Sequence, residues 1–397
     1  MPNNKVVSHK VVIVGAKRTP IGSFQGQFAT VPADELGATA IRAAIEHAGI
    51  DAAQVDDVLM GCVLPAGIGQ APARLAARKA GIPVSAGAIT INKVCSSGLK
   101  AIQLGHDEIL AGSAEIVVAG GMENMTRAPY LLPKARGGYR LGHGEVLDHM
   151  FTDGLQDPDE GFMMGVYGER CAEKFKFTRE QQDAFSIASV ERALVAMDGP
   201  FDQEIAPVTV KSRRSETVID KDQEPPMCKL EKIPTLRPAF KKDGTVTAAS
   251  SSKISDGAAA TVLMSARRAA DMGVTPLATI VAHATFSQQP EWFTTAPIGG
   301  VAKVIEKAGW SIDEVDLFEV NEAFAAVTMA AMQELNIDHS KMNVNGGACA
   351  LGHPVGASGA SLVVTLINAL AQRGLKKGVA ALCNGGGEAT AIAIELP

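Results

Sequence analysis

No Cys-x-x-Cys pair occurs in the 397 residues, although six cysteines are present: Cys62, Cys95, Cys171, Cys228, Cys349 and Cys383. None shares zinc-finger spacing with a histidine, so a bound metal is not expected. Long hydrophobic runs are missing too. No stretch approaches the roughly 18 apolar residues of a membrane span. Met1–Lys10 has neither an apolar secretory core nor an arginine-rich amphipathic character, and the end, Glu395-Leu396-Pro397, carries no Ser-Lys-Leu address. Excess positive charge is absent: the net charge of −6 argues against broad nucleic-acid binding, while leaving room for a local basic patch. These absences lead to the expectation of a reduced, cytoplasmic enzyme that contacts neither membrane nor nucleic acid.

What is present is the alternation of an α/β protein. Val11–Gly15, Val58–Val63, Ile89–Ile91 and Ile116–Ala119 read as strands in the first part of the chain. Leu277–Ala282, Leu317–Val320, Met342–Val344, Val379–Cys383 and Ala389–Glu395 read as strands in the last. Leu36, Ala40, Ile41, Ala44, Ile45 and Ala48 repeat at helical spacing and stop at Gly49, a natural cap. Leu362, Val363, Leu366 and Leu370 line a helix after Ser358. Strands separated by helices predict a largely parallel sheet. The two parts also repeat. Ile45-Glu46-His47-Ala48-Gly49 with Val55-Asp56 matches Ile305-Glu306-Lys307-Ala308-Gly309 with Val315-Asp316 at an offset of 260 residues. Cys95-Ser96-Ser97-Gly98 can be laid over His353-Pro354-Val355-Gly356, and each half leads on to glycine-rich sequence, Gly120-Gly121 and Gly385-Gly386-Gly387. A duplicated α/β unit follows, whose strand ends would meet at a common cleft.

Between about Met122 and Ser250 the alternation fails. This stretch has a helix at Arg179–Met197 and a basic run at Lys211, Arg213 and Arg214. An insertion of this length is either a substrate-covering subdomain or an oligomerisation element.

Four segments could carry chemistry. Cys95 follows a strand and opens a helix, whose positive end would favour the thiolate; the alternative is a buried packing cysteine. His353, between Gly352 and Pro354, occupies the matching place in the other half and could take the thiol proton, or be a satisfied structural histidine. Cys383-Asn384-Gly385-Gly386-Gly387 offers backbone N–H groups for an oxyanion, or forms a simple turn. Asn321, in Asn321-Glu322-Ala323-Phe324, could hold a water or cap a helix.

Taken in order and spacing, these four blocks resemble the catalytic blocks of thiolases, closest in character to the acetyl-CoA acetyltransferases. The resemblance extends through Gly120–Met125, Ser255–Ala259 and Asn345–Ala348 and covers essentially the whole chain. It implies a reversible Claisen condensation of two acetyl-CoA to acetoacetyl-CoA and CoA. Cys95 would be the acylated nucleophile, His353 its base and Cys383 the base for the second substrate. Asn321 with His353 would form one oxyanion site, and the N–H groups of Cys95 and Gly385 the other. It further implies two βαβαβαββ halves packed together, residues 1–121 plus 251–272 and 273–397, with 122–250 as a loop domain over the CoA. Ser252 would meet the pantetheine arm, and Ala248, Ala323 and Phe324 would line its slot. CoA thioesters would be substrates, with no cofactor or metal, and the chain would be a homo-oligomer, a dimer or a dimer of dimers.

Some positions depart from the family pattern. Met163-Met164-Gly165 and Phe293-Thr294 alter segments that touch the acyl group, and all three large side chains are expected to restrict the pocket to short chains. Gln223–Met227 lacks the arginine that usually meets the adenine, Lys253 could reach a phosphate or be solvated, and Val190 removes the tyrosine of potassium-using relatives. A broader-chain degradative thiolase remains the same-class alternative. A ketoacyl synthase would lack Cys383, and a non-catalytic lipid-binding relative would have lost part of the triad.

Overall fold

The computed structural model describes residues 10–211 and 215–397. Residues 1–9 of the opening segment and Arg213 and Arg214 of the basic run lie outside the described residues.

The first half runs β1 (Val11–Arg18), α1 (Ala33–Ala48), β2 (Asp57–Gly61), α2 (Pro72–Lys79), β3 (Gly87–Ile91), α3 (Ser97–Ala111) and β4 (Ile116–Asn124). A long excursion containing α4 (Met164–Phe175) and α5 (Arg179–Met197) follows, and the chain returns as β5 (Ser255–Ser265). The second half runs β6 (Ala278–Ser287), α6 (Ala296–Ala308), β7 (Leu317–Val320), α7 (Ala325–Leu335), α8 (Ser358–Arg373), β8 (Lys377–Asn384) and β9 (Glu388–Glu395).

The repeated residues perform the same tasks in both halves. Gly49 and Gly309 cap α1 and α6 with φ of 66° and 70°, the left-handed region where glycine meets no steric penalty. Asp56 Oδ2 accepts from the N–H groups of Glu115 and Ile116, and Asp316 Oδ2 from those of Lys376 and Lys377. Each aspartate thus fixes the start of the strand that leads toward the site.

The strands form a ten-stranded sheet whose main path is β7-β8-β9-β6-β1-β5-β4-β2-β3, with the short Gly22–Ser23 strand on β5. The half-sheets join through three residue pairs between β1 and β6, Val11–Ile13 against Ala278–Ile280. Only β7/β8, β2/β3 and β2/β4 are parallel, so the expected largely parallel sheet is corrected to a mixed one. Each half closes with a strand running back beside its predecessor, and an antiparallel return needs only a turn where a parallel one needs a crossover helix. In the second half that turn is Gly385–Gly387; in the first, the whole excursion from Met125 to Ile254 takes its place. Met342–Val344 is not a strand. It keeps one parallel bridge, Met342 to Phe318, where the first half has all of β3. Gly120 and Gly121 do not end β4 either, but lie inside it.

Helices α3 and α8 lie between the half-sheets in one apolar cluster, with Leu99, Ile102, Val363 and Leu366 against Val117, Leu263, Leu382 and Ile392. Outside, α1 and α2 cover the first half-sheet and α6 the second. At their first turns α3 and α8 meet backbone to backbone. A Cβ on Gly98 would come within 2.9 Å of the Gly356 carbonyl oxygen, and one on Gly121 within 1.9 Å of the same atom.

Gly121→Ala should therefore lower stability by roughly 1–3 kcal/mol, the usual cost of overpacking a filled core. It should reduce turnover as well, because Gly356 is three residues from His353. Chemical denaturation and steady-state rates check this; an unchanged midpoint with unchanged turnover would contradict the packing.

Candidate active site

Val94 sets the Cys95 turn. This β-branched residue has φ of 49°, a strained conformation that marks a backbone held by its surroundings. Those surroundings are Asn92 Oδ1 on the Val94 N–H at 2.9 Å and Ser97 Oγ, which accepts from Lys93 N–H at 2.8 Å and donates to the Val94 carbonyl at 2.6 Å. Across the half-sheet boundary, Ser96 Oγ donates to Asn384 Oδ1 at 2.7 Å, and Lys93 pairs with Glu388. The Cys95 turn is thereby tied to the strand end that carries Cys383.

His353 is buried, with its N–H on the Lys253 carbonyl at 2.9 Å. The preceding Gly352 has φ of 112°, and Ser255 Oγ stands 2.0 Å from where a Cβ would sit, so no other residue fits. Ser358 donates its hydroxyl proton to the Pro354 carbonyl at 2.9 Å and accepts from His353 Nδ1–H at 2.5 Å. Nε2 then keeps its lone pair, the form a base requires. Asn321 Nδ2 lies 3.4 Å from that nitrogen. Its neighbour Glu322 is fixed by Ser189 Oγ, Asn343 Nδ2 and the Cys349 N–H at 2.7, 2.9 and 3.0 Å.

Cys383 is buried at the end of β8, next to a turn in which Gly386 and Gly387 have φ of 90° and 86°. A cavity of about 420 Å³ brings the residues together: Cys95, His353, Cys383, Gly385, Ser252, Ala323, Phe324, Met164 and Phe293 all line it. Asn321 lies behind His353 and lines a smaller cavity instead. Ala248 is not in the wall; its carbonyl accepts from Lys253 Nζ, which also occupies the lysine considered for a phosphate. Met163 is 41% exposed at the start of α4 and also outside the wall, so of the two methionines only Met164 reaches the cavity. Gln223 Oε1 accepts from the N–H groups of Ser23 and Gln27.

Several contributors were not singled out from the sequence. The turn and loop at Thr152–Pro158 form one side of the cavity. Nothing marked that segment beyond its place in an insertion expected to cover substrate. Glu123 Oε2 accepts from Val63 N–H and Gly356 N–H at 2.8 and 2.9 Å, binding the first half to the histidine loop of the second. Burial pushes its carboxyl up to about 7, with the N–H groups of Val63, Leu64 and Gly356 acting in the opposite sense. Ser358 was visible only as a helix start.

The electrostatics reverse one expectation. Burial pushes the Cys95 thiol up to about 12, and the N–H groups of Cys95 and Gly385 offset only part of this. The helix terminus therefore does not yield a resting thiolate. Burial alone holds His353 down at about 4, and burial followed by the neighbouring Cys95 raises Cys383. The resting site is a set of neutral groups.

Residues 11–267 match the thiolase N-terminal domain and residues 274–396 the thiolase C-terminal domain. The chain belongs to the thiolase family. It is 49% identical over 387 residues to an acetyl-CoA acetyltransferase of Pseudomonas aeruginosa, covering 97% of this chain and 98% of that one. An acetyl-CoA acetyltransferase of Cupriavidus necator is 48% identical over 388 residues, 97% and 99% of the two chains. The crystal structure of the Bacillus anthracis acetyl-CoA acetyltransferase superposes with a TM-score of 0.96 at 42% identity, covering 98% of this chain and 99% of that one.

Because the thiolate is scarce below about pH 12, iodoacetamide alkylation of Cys95 should keep accelerating through pH 10. A free thiol would level off above its ordinary value of about 8.5. Rates measured by mass spectrometry check this, and a plateau by pH 9 would contradict it.

Proposed function

We propose that this protein catalyses the reversible condensation of two acetyl-CoA to acetoacetyl-CoA and CoA through an acyl-Cys95 intermediate. The observation that carries the reading is the convergence of Cys95, His353, Cys383 and Gly385 on one cavity. In the first step the Cys95 sulfur attacks the thioester carbonyl as its proton passes to His353 Nε2. A thiol raised to about 12 facing an imidazole lowered to about 4 makes transfer ahead of attack steeply uphill, so proton and bond move together. His353 then returns the proton to the leaving CoA sulfur.

In the second step Cys383 passes its proton to His353 Nε2 and, as the thiolate, removes one from the methyl carbon of the second acetyl-CoA. The enolate oxygen is held by His353 and by a water on Asn321. The new carbon–carbon bond forms at the Cys95 thioester, whose oxygen accepts from the N–H groups of Cys95 and Gly385, and the Cys95 sulfur leaves and regains its proton from His353 Nε2. CoA thioesters are the substrates, and no cofactor or metal enters any step. Ser252, Ala323 and Phe324 flank the pantetheine arm, and Met164 and Phe293 close the acyl end. Residues 122–250 serve as the cover over the CoA, with 1–121 plus 251–272 and 273–397 as the two core halves.

The protein acts as a homo-oligomer, most simply a tetramer, in the cytoplasm. No helix among the described residues is long and apolar enough to cross a membrane, and the cysteines are free thiols. Assembly is supported by a loop of the insertion that exposes Tyr130, Leu132, Leu141 and Val146, and by β3, whose outer edge is unpaired among the described residues. Light scattering at micromolar concentration should report a multiple of the chain mass; a monomer would contradict this part of the reading.

Incubation with acetyl-CoA followed by intact-mass analysis should show a single acetyl adduct, mapped to Cys95. Cys383→Ser should still take the acetyl group but lose condensation by orders of magnitude, because a serine hydroxyl is too weak an acid to supply the base. Near-normal condensation by that variant would remove Cys383 from the mechanism.

A further inference from the structure

Away from the acyl cavity, three ligand-type atoms converge where α3 meets β6. His106 Nδ1 lies 3.0 Å from Asp107 Oδ1, His283 Nε2 lies 2.9 Å from the same oxygen, and the two ring nitrogens are 3.2 Å apart. Among the described residues this is the one group of three or more histidine, cysteine or acidic side chains gathered so closely. The imidazole planes stand at 86° to each other. The rings are mostly buried, at 13% and 18% exposure, and Asp107, at 50%, leaves the cluster open to solvent on one side.

Hydrogen bonds alone serve this arrangement poorly. Asp107 Oδ1 can accept from both rings, but the two N–H groups then crowd into the same small space, with their nitrogens 3.2 Å apart. A cation placed among the three atoms replaces both protons and turns the crowding into coordination. Zinc bonded at about 2.0–2.2 Å with tetrahedral geometry sets neighbouring ligand atoms about 3.3–3.5 Å apart. The observed separations need to open by only a few tenths of an ångström. Two imidazoles and one carboxylate are a donor set for a borderline divalent ion, with the fourth position left to water. Two cations work against the site and limit its affinity. Lys100 lies close enough to act on His283, and Lys307 Nζ donates to the His283 carbonyl at 3.1 Å.

We propose that His106, Asp107 and His283 form a binding site for a divalent transition-metal ion of the zinc class, which staples α3 of the first half to β6 of the second. The site lies about 14 Å along α3 from Ser97, at about 1.5 Å per residue, so it is structural and touches no reacting atom.

The test uses the full chain stripped of metal by a chelator and titrated with Co²⁺, whose spectrum reports its ligands. A single ion per chain should bind, with visible d–d bands and no near-ultraviolet thiolate band. Zn²⁺ should raise the melting temperature. His283→Asn and His106→Asn should each weaken binding about tenfold or more and abolish the thermal gain. Their metal-free melting temperature and acetyl-CoA turnover should match those of the metal-free parent, which separates lost binding from misfolding. Co²⁺ binding by both variants equal to that of the parent, a thiolate band that places the ion on cysteines, or no binding at high micromolar metal would each overturn the proposal.

Discussion

The contact on which this structure depends is the meeting of two helix starts without side chains between them. Gly98 lies in the first turn of α3, Gly356 precedes α8, and Gly121 lies beneath both in β4. Cys95 is three residues from the first of these glycines and His353 three residues from the second. The distance between Cys95 and His353 is thus set by backbone packing, which is stiff, rather than by long side chains, which are not. Glu123 reinforces the joint by accepting from both halves, and the Ser96–Asn384 hydrogen bond extends it to the strand end of Cys383.

Burial at that joint determines the chemistry. The thiols are raised and the imidazole lowered for the same reason, loss of water, so the free site stores no charge pair. In the proposed reaction, donors that contribute little to a neutral thiol, the N–H groups of Cys95 and Gly385, gain importance once a thioester oxygen begins to carry charge between them. A pair that ionised at rest would use up that stabilisation before substrate arrived. The arrangement fits a reaction in which charge appears only along the reaction path.

Much of this could be read along the chain, and the exceptions have physical causes. Helix α5 was legible residue for residue, and the α1 and α6 repeats were legible with their glycine caps, because capping and periodicity are local. Cys95, His353 and Cys383 stand out in the sequence as candidates because the backbone around each is constrained by neighbours such as Gly352 and Gly386, and the structure brings all three to one cavity. Strand β5 was missed: Ser255–Ser265 is rich in alanine and buried along nearly its whole length, so it has no alternation to show. Met342–Val344 has strand composition but lacks a continuous partner. The choice between Met163 and Met164 turned on where α4 begins, and the Cys95 thiol on walls supplied by residues far away in sequence. Thr152–Pro158 became part of the site only through the path of the insertion.

The most direct measurement of the central claim is a crystal structure of the enzyme frozen after brief exposure to acetyl-CoA. The account predicts an acetyl group on the Cys95 sulfur, with its carbonyl oxygen accepting from the N–H groups of Cys95 and Gly385 and the Cys383 sulfur facing the vacated substrate space. An acetyl group on another cysteine, or one on Cys95 with its oxygen turned away from those two N–H groups, would contradict it.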